Sequence, residues 1–174
     1  AGSVQVVFGR AARLGGTLTL DSQTGANGFS LQGVAAGDRA GRAVGGGGDV
    51  DGDGFADLIV GAPEVDAIEP ASGASYVVFG AGADLGANAA LSALDGETGL
   101  RLDGAPDFGR SGSAVTVLGD INGDGFDELG IGAPFTGGNF GAVHVVFGRS
   151  AAFSAVETLA GPNGTSGFRI DGLD

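Results

Sequence analysis

Three stretches of the chain repeat one hydrophobic pattern: SVQVVFG at 3–9, SYVVFG at 75–80 and VHVVFG at 143–148. Phe8 and Phe79 are 71 residues apart and Phe79 and Phe147 are 68 apart, and similar steps separate FSLQG, LRLDG and FRIDG, which begin at Phe29, Leu100 and Phe168. Residues 36–63 also align without gaps on 107–134. A fixed period of this size marks a repeat architecture, in which each unit buries its apolar face against the next. Within a unit the apolar runs are only 4–7 residues long, rich in β-branched residues, and bounded by Gly, Pro, Asn or Asp. Such runs predict short strands. The first complete unit reads as GRAVG, DLIVG, ASYVVFG and LRLDG, and the second as GSAVTVLG, ELGIG, GAVHVVFG and FRIDG. The chain opens on a third-strand segment, Val4–Phe8, and a fourth-strand segment, Phe29–Gln32.

The predicted fold is therefore all-β, built of about two and a half four-stranded antiparallel units of the kind that form propeller blades. The units run over 1–35 (third and fourth strands only), 36–106 and 107–174. The 38 glycines fit this reading, because inner strands crowd toward a propeller axis and tight turns abound. Gly45–Gly48 is expected on such an inner strand. The linkers 10–28, 81–99 and 149–167 share a Leu-x-x-Leu or Leu-x-Leu core and read as loops with one helical turn. Ten strands make no whole number of blades, so the chain is expected to be an incomplete propeller: a piece of a longer repeat chain, or a protein that self-associates.

Charge adds the chemistry. A formal net charge of −13, from 21 acidic against 8 basic residues, disfavours nucleic acid and anionic membranes as partners. Many of the carboxylates crowd into two loops of identical spacing, Asp49-Val-Asp-Gly-Asp-Gly-Phe-Ala-Asp57 and Asp120-Ile-Asn-Gly-Asp-Gly-Phe-Asp-Glu128. Oxygens stand at positions 1, 3, 5 and 9, glycines at 4 and 6 allow a sharp curl, and position 7 can offer a backbone carbonyl while its ring points into the core. This is a hard-oxygen donor set suited to calcium. It is not an EF-hand: position 12 is Val60 or Ile131, inside apolar strand runs, where that motif needs a glutamate.

With Gly61-Ala62-Pro63 and Gly132-Ala133-Pro134 closing the following strands, and Asp107-Phe108-Gly109 leading the second unit, the chain resembles the FG-GAP repeat of integrin α-subunit propellers and their bacterial relatives. The resemblance covers nearly the whole length. It implies two calcium sites, one on Asp49, Asp51, Asp53, Phe55 and Asp57, the other on Asp120, Asn122, Asp124, Phe126 and Glu128. It also implies a ring of seven blades, which this chain cannot supply. Two departures stand out: Gly37-Asp38 replaces the leading Phe-Gly of the first unit, and Glu128 replaces an aspartate.

The function implied is a calcium-binding structural or adhesion module, secreted or on the cell surface of a bacterium, meeting a protein or glycan there. Its alternative is a scaffold part of a secreted polysaccharide lyase or phospholipase-like hydrolase, and a third reading is an architectural spacer. An enzyme is not expected, since the chain has no Lys, one His and one Tyr. His144 shares its repeat position with Gln5 and Tyr76, which marks a polar strand-face residue. Arg39 and Arg110 share another, which suggests a recurring structural hydrogen bond or, less simply, an anion site. Without cysteine there is no disulfide framework or thiolate metal site. No apolar stretch approaches 18 residues, so membrane insertion is not expected and any secretion signal should lie outside these residues.

Overall fold

Every residue of the run Ala74–Val78 is buried, which only the middle of a sheet covered on both faces allows. A computed structural model describes residues 1–9, 19–20, 23–80, 86–106, 109–159 and 164–173. In chain order its strands are β1 (Ser3–Val7), β2 (Gly28–Gln32), β3 (Ala43–Gly48), β4 (Asp57–Ala62), β5 (Ala74–Val78), β6 (Asn88–Ala90), β7 (Gly99–Asp103), β8 (Ala114–Gly119), β9 (Glu128–Ala133), β10 (Ala142–Val146), β11 (Val156–Thr158) and β12 (Gly167–Asp171). They form three sheets, ordered β1-β2-β6, β11-β7-β5-β4-β3 and β12-β10-β9-β8. The fold is all-β, the sheets are partial and complete propeller blades, and they do not close into a ring.

Within the two larger sheets the four predicted strands of each unit pair antiparallel, with Tyr76 opposite Arg101 and Val60, and His144 opposite Arg169 and Ile131. The first strand of each set is interrupted by a bulge at the same repeat position, between Gly46 and Gly48 and between Val117 and Gly119. A bulge bends its strand. Here the bend delivers the chain into the acidic loop that follows.

Alternate strand residues face neighbouring sheets, and two cores result. Val4, Phe29 and Leu31 meet Val60, Ala62, Tyr76 and Val78 between the first two sheets. Ile59, Val77, Leu100 and Leu102 meet Leu129, Ile131 and Val146 between the second and third. His144 and Tyr76 are more deeply buried than polar strand-face residues should be, at 1% and 2% exposure, because each looks toward the preceding sheet and not toward solvent. On the last sheet Phe168 and Ile170 are 38% and 55% exposed, whereas their equivalents Leu100 and Leu102 are covered to 1%.

The linkers correct one expectation. Residues 81–99 and 149–167 each contribute a short strand, β6 and β11, which pairs parallel with the outer strand of the preceding sheet, β2 or β7. Of the helical turns expected in the linkers, the described residues show one, a 3-10 turn at Leu91–Ala93 in the second linker, with Leu91 buried. These strands cover edges that would otherwise expose unpaired backbone groups. Most of the first linker lies outside the described residues.

Close approach between blades needs small residues at two places. A Cβ on Gly45 of β3 would lie 3.0 Å from the Thr116 Cα of β8, which places the glycine-rich strand on the crowded inner side, as expected. A Cβ on Gly61, in the first Gly-Ala-Pro, would collide with the Gly112 carbonyl of the next blade, while on Gly132, its repeat equivalent, the nearest atom would be Ala114 Cβ at 3.4 Å. Gly61→Ala is therefore expected to destabilise the chain by about 1–3 kcal/mol, as overpacking does. Gly132→Ala should stay within about 0.5 kcal/mol of wild type. Equal losses for the pair in denaturant titrations would contradict this account of blade packing.

Candidate metal centre

Both acidic loops begin by folding backbone N–H groups onto their first aspartate. Asp49 Oδ1 accepts from the N–H groups of Gly52 (2.7 Å) and Asp53 (3.0 Å), and its Oδ2 accepts from Gly54 (3.0 Å). Asp120 does the same with Gly123 (2.7 Å), Asp124 (3.1 Å) and Gly125 (3.0 Å). This curl needs left-handed backbone at positions 4 and 6, where Gly52, Gly54, Gly123 and Gly125 have φ of 78°, 89°, 80° and 94°. Inside the curl, Asp51 and Asn122 each accept from the N–H two residues on, at 3.2 and 2.8 Å.

The ninth residue closes each loop from its strand. Asp57 Oδ2 accepts from the Val50 N–H and Oδ1 from the Gly80 N–H, both at 2.7 Å, which ties the loop to the end of β5. Glu128 Oε2 accepts from the Ile121 N–H at 2.8 Å. Glutamate's longer arm therefore reproduces the aspartate's bond to the second loop residue.

Carboxylate oxygens of Asp49, Asp51 and Asp57 all lie within 4.8 Å of one another, a grouping that could hold a metal ion. Burial pushes the Asp57 carboxyl up to about 6 from 3.8; hydrogen bonds from Gly80 and Val50 oppose the rise, and the charges of Asp51 and Asp49 add to it. Asp51 is raised as well, first by burial and then by the charges of Asp53 and Asp49. Loss of water leads both shifts, and the neighbouring carboxylates add to them.

The second loop relieves its crowding differently. Asn122 Nδ2 donates to Asp124 Oδ2 at 3.0 Å and reaches Glu128 Oε1 at 3.4 Å, so an amide bridges carboxylates there.

Not every predicted residue joins the cluster. Asp53 is exposed and outside the group of three, its Oδ1 accepting from the Phe55 N–H at 2.8 Å. The rings at position 7 do not point into the core. Phe55 is 47% exposed, and Phe126 is half-buried against Gly52 of the first loop. The reason is that each position-7 Cβ sits close against the glycine after a Val-Val-Phe run, Gly80 for Phe55 and Gly148 for Phe126, at the end of the sheet and not between two sheets. Of Asp107-Phe108-Gly109, the first two fall outside the described residues; in the first unit, Asp38 caps its own turn by accepting from the Ala35 N–H at 2.9 Å.

The repeated arginines converge on one carboxylate. Arg39 and Arg110 both approach Glu64 Oε1 at 3.6 Å, and Arg110 also lies over the Phe135 ring at 5.1 Å. Asp127 was not singled out by sequence reasoning, yet it bridges the two loops. Its only signal was that Ala56 holds the matching position in the first loop.

Comparison with known proteins agrees with this geometry. The FG-GAP repeat family matches residues 40–78 and 108–146, segments that span both loops. Rat (Rattus norvegicus) integrin alpha-7 is 43% identical over 103 residues, 59% of this chain and 8% of that protein. Integrin alpha-PS2 of Drosophila melanogaster is 32% identical over 139 residues, 77% of this chain and 9% of that protein. Phosphatidylinositol-glycan-specific phospholipase D of Bos taurus is 41% identical over 107 residues, 58% of this chain and 12% of that protein. The chain thus spans about a tenth of the length of these relatives. With both repeats resting on the blades and acidic loops described above, the chain carries two FG-GAP repeats and is similar to integrin α subunits over them.

Proposed function

We propose that the two loops bind calcium and that the chain is a non-enzymatic structural or adhesive module of a secreted or cell-surface protein. The observation that carries this reading is the convergence of Asp49, Asp51 and Asp57 oxygens within 4.8 Å of one another. Calcium takes six to eight hard oxygens, and the extracellular supply suits open loops of this kind. Asp49, Asp51, Asp53, Asp57 and the Phe55 carbonyl would hold one ion. Asp120, Asn122, Asp124, Glu128 and the Phe126 carbonyl would hold the other, with Asn122 Oδ1 using the lone pair not taken by the Asp124 N–H. The ion would supply fixed positive charge, which stiffens each blade where its inner strand turns back.

The likeness to integrin α subunits supports a protein or glycan partner at a cell surface or in the matrix. The likeness to a phospholipase D supports a second reading, the non-catalytic body of a secreted hydrolase. Exposed Val143, Phe168 and Ile170 suit packing of a neighbouring blade from a longer chain, or self-association.

Calorimetric titration tests the core of the proposal: two calcium ions per chain are expected, and one each in Asp51→Ala and Asp124→Ala. Titration without heat or saturation in the wild-type chain would sink it. Binding of the chain to immobilised glycans and matrix proteins, with and without calcium, separates an adhesive module from a spacer.

A further inference from the structure

The third blade holds the first loop through Asp127 and Arg149, which the calcium reading does not use, and through the ring of Phe126. Asp127 Oδ2 accepts from the Asp49 N–H at 2.8 Å, and the Asp127 N–H donates to the Asp49 carbonyl at 2.9 Å. One residue further along, the Arg149 N–H donates to the Val50 carbonyl at 2.9 Å. The Phe126 ring lies over Gly52, where a Cβ would collide with it. The first aspartate of the first loop, whose carboxylate gathers three N–H groups into the curl, is therefore clamped from the following blade.

We propose that Asp127 is a positioning residue for the first loop and that, through it, the two loops load calcium with positive cooperativity. The inference rests on the calcium reading above. Asp127 sits between Phe126 and Glu128, which that reading makes ligands of the second ion, so filling the second loop fixes the backbone on both sides of the clamp. The clamp then holds Asp49 in the curled position that the first ion needs. Linkage makes the effect reciprocal: whatever the second ion adds to the first site's affinity, the first adds to the second's. The two matching loop positions are unlike in this respect, because Ala56 has no carboxylate to offer a preceding loop.

The test is a calcium titration of the full chain and four variants by calorimetry. Asp124→Ala empties the second loop and should weaken the first site about fivefold or more, at the lower end of typical coupling. Asp127→Ala should also weaken the first site, and adding Asp124→Ala to it should produce no further loss there. Asp127→Asn, which keeps an oxygen to accept the Asp49 N–H, should recover most of the coupling. A first-site affinity unchanged in Asp124→Ala, or a coupling that persists in Asp127→Ala, would overturn the proposal. A wild-type chain that takes up no calcium would overturn the underlying reading instead.

Discussion

In calcium the chain is expected to melt roughly 10–20 °C higher than it does after calcium removal. An ion that binds only the folded state adds about 2.7 kcal/mol at a hundred times its dissociation constant, so two sites add about 5 kcal/mol. For a domain of this size each kcal/mol is worth about 2–4 °C. The physical source is on both loops. Without an ion, Asp49, Asp51 and Asp57 face one another across less than 4.8 Å, and like charges at that range oppose the curl that brings them together. The loops also hold the blades in place: Asp57 binds Val50 and Gly80, and Val50 in turn is held by Arg149 of the next blade. Loosening the first loop should therefore loosen the packing between the second and third sheets. Differential scanning calorimetry in calcium and in calcium-free buffer measures the gap, and superimposable curves would contradict the prediction.

How much of this was legible in the sequence depended on whether a feature was local. The strands β5 and β10 announce themselves as β-branched runs ending in Phe-Gly, and the acidic loops as alternating oxygens with glycines at fixed places. These patterns are written within ten residues or fewer, so spacing alone reveals them. The short strands β6 and β11 could not be read, because Asn88-Ala-Ala90 and Val156-Glu-Thr158 carry no apolar alternation. They become strands only because β2 and β7 offer a free edge. The burial of Tyr76 and His144 was hidden for a related reason: a polar residue between valines implies a solvent face only if no further sheet covers it. Asp127 is the plainest case. Its partner Asp49 is 78 residues away, and nothing but the docking of two blades brings them together.

Removing the ion should also reverse the dependence of stability on pH, and Asp57 sets the direction. In the ion-free chain its carboxyl rises from 3.8 to about 6, so between those values the folded state holds a proton that the unfolded chain releases. Stability therefore falls as pH rises from about 4 to about 6, and the full penalty is in force above that range. At 1.36 kcal/mol per unit the penalty is at most about 3 kcal/mol. Asp57 itself is 2% exposed, but the adjoining loop residues 52–56 lie in solvent, and screening there brings it to about 1–2 kcal/mol. The burial that causes the shift comes first, the N–H groups of Gly80 and Val50 hold it back, and Asp51 and Asp49 add their repulsion. With calcium bound, the same carboxylate gains a partner and the penalty disappears, since a nearby cation favours the charged form. The extra stability conferred by calcium should accordingly grow between pH 4.5 and pH 7, as the proton stops competing for Asp57. Chemical denaturation at several pH values checks this, with resin-stripped protein as the reference because chelators lose their grip on calcium in acid. If the gap between calcium-loaded and stripped protein stays constant over that range, Asp57 does not belong to the site.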